Sequence, residues 1–194
     1  MSCRPRLLRS LGSAWPRVLL LAVLIGATLA SNAGLTDRQV EYRIKAAFVC
    51  KFGSYVEWPS QAFAQAKTPL TIGVAAADSV VDEIARTAAG ESIEGRPIAV
   101  RRLTRGDTVN DLHILFIARS HNTELTEALA SVRGRPVLTV TEADQPDGVL
   151  GMVNFVIIDD KVRFDIALPP AELSGLKISA RLLGVARKVH GKPS

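Results

Sequence analysis

Three histidines, His113, His121 and His190, are the imidazoles of this 194-residue chain, and the chemistry open to them is metal ligation or proton transfer. Their spacing supports neither by itself. No H-E-x-x-H pair places two ligands on one helix face, so a metal centre would require distant residues to converge. His113 lies inside the apolar run "LHILFIA" and reads as a buried histidine with its hydrogen bonds satisfied. Carboxylates suited to acid and base work cluster at Asp159-Asp160 and at Glu142, Asp144 and Asp147. Aspartates also collect at hairpin tips and polar loops for backbone reasons alone. A serine nucleophile has no G-x-S-x-G elbow to sit on. The segment "GVAAADS", from Gly73 to Ser79, joins a strand to a helix where helix amides could hold an anion, but it lacks the glycines of a phosphate loop. Asp78 there reads as a helix N-cap. The expectation is therefore no catalytic residue, no metal and no cofactor: a protein that is not an enzyme.

The N-terminus explains the overall charge. Arg4, Arg6, Arg9 and Arg17 precede an apolar run from Val18 to Ala30, and small residues follow through Ala33. This is the pattern of a secretory signal peptide, since a membrane-spanning helix needs roughly 20 apolar residues. Cleavage is expected after Ala33, with Ala30 as the other small-residue site. The whole chain carries 24 basic and 19 acidic residues, a net +5. The leader holds four of the basic residues and none of the acidic ones, which leaves 20 against 19, a net +1. A basic footprint for nucleic acid is thus not expected on the exported domain. Cys3 departs with the leader, so Cys50 has no partner for an internal disulfide. It is either buried or bridged between two chains.

Elements able to position these residues follow from the apolar periodicity. Thr36 to Gln39 has the form of a capping box opening a helix, and Val40, Ile44, Ala47, Phe48 and Phe52 recur at helical spacing as its core stripe, with Cys50 off it. Trp58-Pro59 closes that segment. Strands are expected at 70–75, 98–103, 112–118 and 137–140, and helices at 79–89 and 120–132. Strands alternating with helices predict a single α/β domain, 34–194, with a mainly parallel sheet flanked by helices. The two aspartates between Ile158 and Lys161 leave room only for an antiparallel hairpin. A terminal helix is expected from Ile178 to Val189.

Two surfaces stand out as candidates for binding. In the second hairpin strand, Val162, Phe164, Ile166 and Leu168 alternate with Lys161, Arg163 and Asp165, which predicts a charged face on a rigid support. On the terminal helix, Ile178, Leu182, Val185 and Val189 form an apolar stripe beside Lys177, Arg181 and Lys188. Arg163, Asp165, Lys177 and Arg181 are the expected binding residues, for charged groups fixed on a scaffold favour specificity and on-rate. An acidic protein partner is one occupant. A small molecule held at the carboxyl ends of the parallel strands, near Asp78 and Ser120, is the other, and would make the chain a periplasmic sensor or uptake component.

Four segments together resemble the YfiR-like family of exported bacterial proteins: "KAAFVCKFGSYVEWP", "HILFIARS" followed by "PVLTVTEAD", "GMVNFVIIDDKVRFDIAL" and "GLKISARLLGVARKV". They occur in the family's order and spacing across nearly all of the chain beyond the leader. The resemblance implies a periplasmic α/β regulator, without enzymatic activity, that forms dimers. Its partner would be the periplasmic part of an inner-membrane diguanylate cyclase, whose inhibition lowers cyclic di-GMP, exopolysaccharide and biofilm. Ala167 stands where the family pattern has Asn, and Ser179-Ala180 where it has paired serines. The namesake's cysteine pairs are also missing, which weakens any transfer of redox control by disulfides.

Overall fold

A row of apolar β-branched residues needs two covered faces, and the sequence supplies such rows for adjacent strands. The computed structural model describes residues 37–119, 122–142 and 151–191. Residues 1–36, Ser120, His121, Asp144 and Asp147 lie outside them, and with them the readings of signal peptide, capping box and acidic loop. Helix α1 spans 37–52. The remaining elements are β1 (Val56–Glu57), β2 (Leu70–Ala75), α2 (Asp78–Ala88), β3 (Ser92–Ile93), β4 (Arg96–Arg102), β5 (Ile114–Ile117), α3 (Asn122–Val132), β6 (Leu138–Glu142), β7 (Val153–Ile158), β8 (Lys161–Ala167), α4 (Leu168–Leu173), β9 (Lys177–Ile178), α5 (Ala180–Val185) and β10 (Lys188–His190). From Glu41 onward the described residues belong to one compact unit.

Eight strands form the main sheet in the order β10-β8-β7-β6-β5-β2-β4-β3. The pairs β4/β2, β2/β5, β5/β6, β6/β7 and β8/β10 are parallel, whereas β7/β8 and β3/β4 are antiparallel. This is the expected α/β domain. Alternation along β5 shows how the sheet is covered: Ile114 and Phe116 point into the larger apolar cluster, Leu115 and Ile117 into a smaller one on the opposite face. Helices α1, α2 and α5 contribute to the first cluster, and the end of α3 with Leu103 and Leu112 to the second. The β7–β8 hairpin turns at Asp159 and Asp160, with φ of 48° and 57°. Two successive left-handed residues define a type I′ turn, and aspartate tolerates that region better than most side chains. Val162, Phe164 and Ile166 face the core as the alternation requires, while Leu168 opens α4 half-buried.

The terminal helix departs from expectation. The chain makes only α5, then turns extended at Ala186 and runs as β10 beside β8, pairing Lys188 with Asp165 and His190 with Ala167. Ser179 caps α5 by accepting the Leu182 amide proton at 3.3 Å. Without β10 the outer edge of β8 would leave its backbone groups unpaired, and that gain outweighs continued helix across Gly184. Lys177, Arg181 and Lys188 are therefore distributed over β9, α5 and β10 instead of lining one helix. The strand after α1 also finds an unforeseen partner, since β1 and β9 form a separate antiparallel pair, Val56 with Ile178 and Glu57 with Lys177. Asp78 is likewise not an N-cap: Ala77 holds that position, and the Asp78 carboxylate pairs with Arg102 of β4.

Candidate functional site

The apolar stripe read on α1 exists, but most of it does not face the core. The helix buries Lys45, Ala46, Val49, Cys50 and Phe52, whereas Ile44 remains 41% exposed and Val40 50% exposed. A rotation of the buried face by about one residue places Cys50 inside, contrary to the expectation that it projects away. The cause is a second apolar face combined with one charged residue that the core accepts. Lys45 enters because its ammonium donates to Glu142 of β6 at 2.9 Å and to Glu41 one turn earlier. It also lies 5.0 Å from the Tyr42 ring centroid.

The face left outside is a groove of about 600 Å³ between α1 and α5, with Ile44, Phe48, Tyr55, Leu182 and Val185 in its walls. Val185 is 66% exposed. Lys51 and Arg181 are the two charged side chains in the lining, both basic. Neither makes an ion pair among the described residues. The floor is rigid: Phe48 and Phe52 stack at 6.0 Å, and each meets Phe164 edge-on, at 5.5 and 5.3 Å. An exposed apolar concavity with cationic side chains suits an apolar side chain of a partner flanked by carboxylates.

The four expected binding residues do not share this surface. Arg181 alone lines the groove. Arg163 stands on the exposed side of β8. Lys177, on β9, faces Glu57 across 3.9 Å with both side chains largely in solvent. Asp165 is a correction: it is 1% exposed, not displayed. Arg187, just before β10, grips it through Nε at 2.7 Å and through a second contact to the other carboxylate oxygen. A bidentate pair in this position anchors the last strand to β8 and takes Asp165 out of any outer surface.

The carboxyl ends of the parallel strands offered the alternative small-molecule site. Glu142, the last residue of β6, stands at one side of it, and a cavity of about 210 Å³ lined by Ala75, Leu103 and Ile117 lies at the ends of β2, β4 and β5. The Glu142 carboxylate accepts the Arg119 amide proton at 2.9 Å, the Tyr42 hydroxyl at 3.3 Å and the Lys45 ammonium. The amide donor beyond β5 that could serve an anionic ligand is thereby satisfied from within the chain. Among the described residues no three His, Cys, Asp or Glu side chains gather as metal ligands.

Cys50 is 6% exposed and lines a small pocket of about 110 Å³ beside Thr87 and Glu91. Burial, with the Glu91 charge second, pushes its thiol up to about 11. The thiolate is scarce at neutral pH. Cys50→Ser should cost less than about 2 kcal/mol in chemical denaturation, and a thiol reagent at pH 8 should label the folded wild type far more slowly than the unfolded chain.

The fold is an α/β domain whose mainly parallel sheet carries an apolar, cation-bearing groove on one helical face. The YfiR/HmsC-like family matches residues 42–187, and the chain belongs to that family. No curated protein matches the chain. Family membership agrees with a periplasmic regulator of diguanylate cyclases. No helix among the described residues is long and apolar enough to cross a membrane.

Proposed function

We propose that this chain is an exported periplasmic regulatory protein, a YfiR-like domain over 34–194 released from a signal peptide over 1–33. It works as a homodimer without cofactor or catalysis and holds the periplasmic part of an inner-membrane diguanylate cyclase in its low-activity state. The observation that supports this most is the α1–α5 groove. Its apolar walls, with Lys51 and Arg181 beside them, match a partner segment that inserts an apolar side chain between acidic neighbours. Burial of that segment would supply affinity, and the two cations its orientation. Arg163 and Lys177 lie outside the groove and would act only on a wider footprint.

Val185→Asp combined with Arg181→Glu introduces charge at two exposed positions, so melting should stay within about 0.5 kcal/mol of wild type for each change. Retention of the membrane partner in a pull-down should fall at least tenfold, with cyclic di-GMP and biofilm rising in cells. Arg163→Glu should have a much smaller effect. Equal loss from Arg163→Glu and none from the groove variant would move the contact to the hairpin. Undiminished repression by both would defeat the proposal, and recovery of a tightly held small molecule with the purified protein would favour the sensor reading.

A further inference from the structure

We infer that the cavity at the ends of β2, β4 and β5 binds a small aliphatic α-amino acid, its side chain against Ala75, Leu103 and Ile117 and its charged head between Arg105 and Glu127. The position in the sheet is the first reason. From β2 the chain crosses through α2 to β4 on one side, and from β5 it crosses through α3 to β6 on the other. β2 and β5 are neighbours, so the two crossings diverge between them. In open α/β sheets that divergence leaves a crevice beyond the carboxyl ends of the two strands, where ligands bind. Ala75 and Ile117 are the last residues of β2 and β5, pair with each other and both line the cavity. They belong to the smaller apolar cluster, whereas Phe52 and Leu182 of the α1–α5 groove belong to the larger one. The cavity is therefore on the opposite face of the sheet from the groove, and it neither requires nor excludes a partner there.

The lining sorts by depth. Ala75, Leu103 and Ile117 are buried and Val109 and Ala128 half-buried, so the inner walls are aliphatic, with no ring among the described residues. An apolar cavity of about 150 Å³ admits benzene, so about 210 Å³ has room for about eight non-hydrogen atoms. The mouth is charged. Arg105 reaches it from the loop after β4 and Glu127 from α3, and they meet across 3.4 Å with side chains 74% and 68% exposed. A pair this long and this exposed is worth little, so it parts readily. A zwitterionic head replaces it with two charge-assisted contacts, α-carboxylate to Arg105 and α-ammonium to Glu127. A lone acid would leave Glu127 without its cation, and a lone amine would leave Arg105 without its anion. Asp107, the third charged residue of the lining, is already held, since its carboxylate accepts the Thr104 amide and hydroxyl protons at 2.7 and 2.9 Å. The Thr108 carbonyl takes the Arg101 guanidinium at 2.6 Å. These bonds brace the loop, so its wall of the cavity is built before a ligand arrives.

L-Leucine is the probe. Titrated into exhaustively dialysed protein, it should shift the NMR amide signals of 103–109 and 127–131 saturably, with calorimetry giving a single site per chain. Isovalerate and isoamylamine each keep the branched chain and one half of the head, and each should bind at least about tenfold more weakly than L-leucine. L-Leucine should lose about the same factor on Arg105→Gln or Glu127→Gln, and these exposed changes should leave melting as in the wild type. Ala128→Leu, which fills the cavity from α3, should abolish the shifts. The groove variant Val185→Asp/Arg181→Glu should bind L-leucine as the wild type does, which keeps a failure of this site distinct from a failure of the groove. No saturable shift at millimolar L-leucine overturns the inference. So does either half-ligand binding as tightly as L-leucine, or L-leucine binding that both rim substitutions leave unaltered. Should Ala128→Leu fail to fold, the rim variants and the half-ligands still decide.

Discussion

Replacement of Lys45 by methionine should cost about 3 to 5 kcal/mol, the scale on which removal of one partner strands a buried charge. Lys45 and Glu142 are each 2% exposed, and their ion pair spans 2.9 Å. Methionine fills most of the space of the lysine stem, so the loss isolates the charge rather than the packing. Glu142 would keep the Tyr42 hydroxyl and the Arg119 amide but lose its only cationic partner among the described residues. Glu41 cannot follow inward, because it too is an anion. The effect should fall in the double variant Lys45→Met/Glu142→Gln, which removes both charges and keeps an acceptor oxygen for the Arg119 amide. Urea denaturation of the four proteins in a double-mutant cycle gives the coupling directly. Additive losses would show that the pair contributes packing alone.

Phe164→Ala should be as severe, about 3 to 5 kcal/mol, through the cavity it leaves. Phe164 is 3% exposed and sits opposite Phe155 across the hairpin. It meets both Phe48 and Phe52 edge-on, so one ring joins the sheet to α1. For a domain of this size, that loss corresponds to a fall of about 6 to 20 °C in melting temperature. Phe164→Leu should recover much of it, since the lost volume is smaller. Because the same rings form the floor beneath the groove, Phe164→Ala should also weaken partner retention. Repression by Phe164→Leu at a temperature where it is fully folded separates the two effects. If Phe164→Ala melts like wild type, the ring cluster does not tie α1 to the sheet.

Much of this architecture is written in local pattern. The 112–118 run is apolar at every position except His113, so a strand covered on both faces was the only economical reading, and β5 bears it out. The two aspartates at 159 and 160 admit no connection longer than a hairpin turn, whatever else the chain does. The resemblance to the family rests on four segments in register, none of which depends on long-range contact, and the family match over residues 42–187 agrees with it. Strands of two or three residues such as β1, β9 and β10 are different, because no periodicity exists in so short a span and only a waiting partner edge makes them strands.

The sequence by itself determined the strand and helix alternation, the hairpin and the inward side of β8 up to Ile166, because each follows from residue spacing and backbone sterics within a few positions. It also determined that α1 is apolar at Ile44, Ala47, Phe48 and Phe52. Which face of α1 turns inward was decided by tertiary structure alone: Lys45 is admitted to the core only because Glu142, 97 residues later, meets its charge there. Asp165 was withdrawn from the surface by the same physics, since Arg187 reaches it only once β10 has docked. Local pattern reports where apolar side chains recur, whereas a buried charge depends on the position of its opposite in space, and that position exists only in the folded chain.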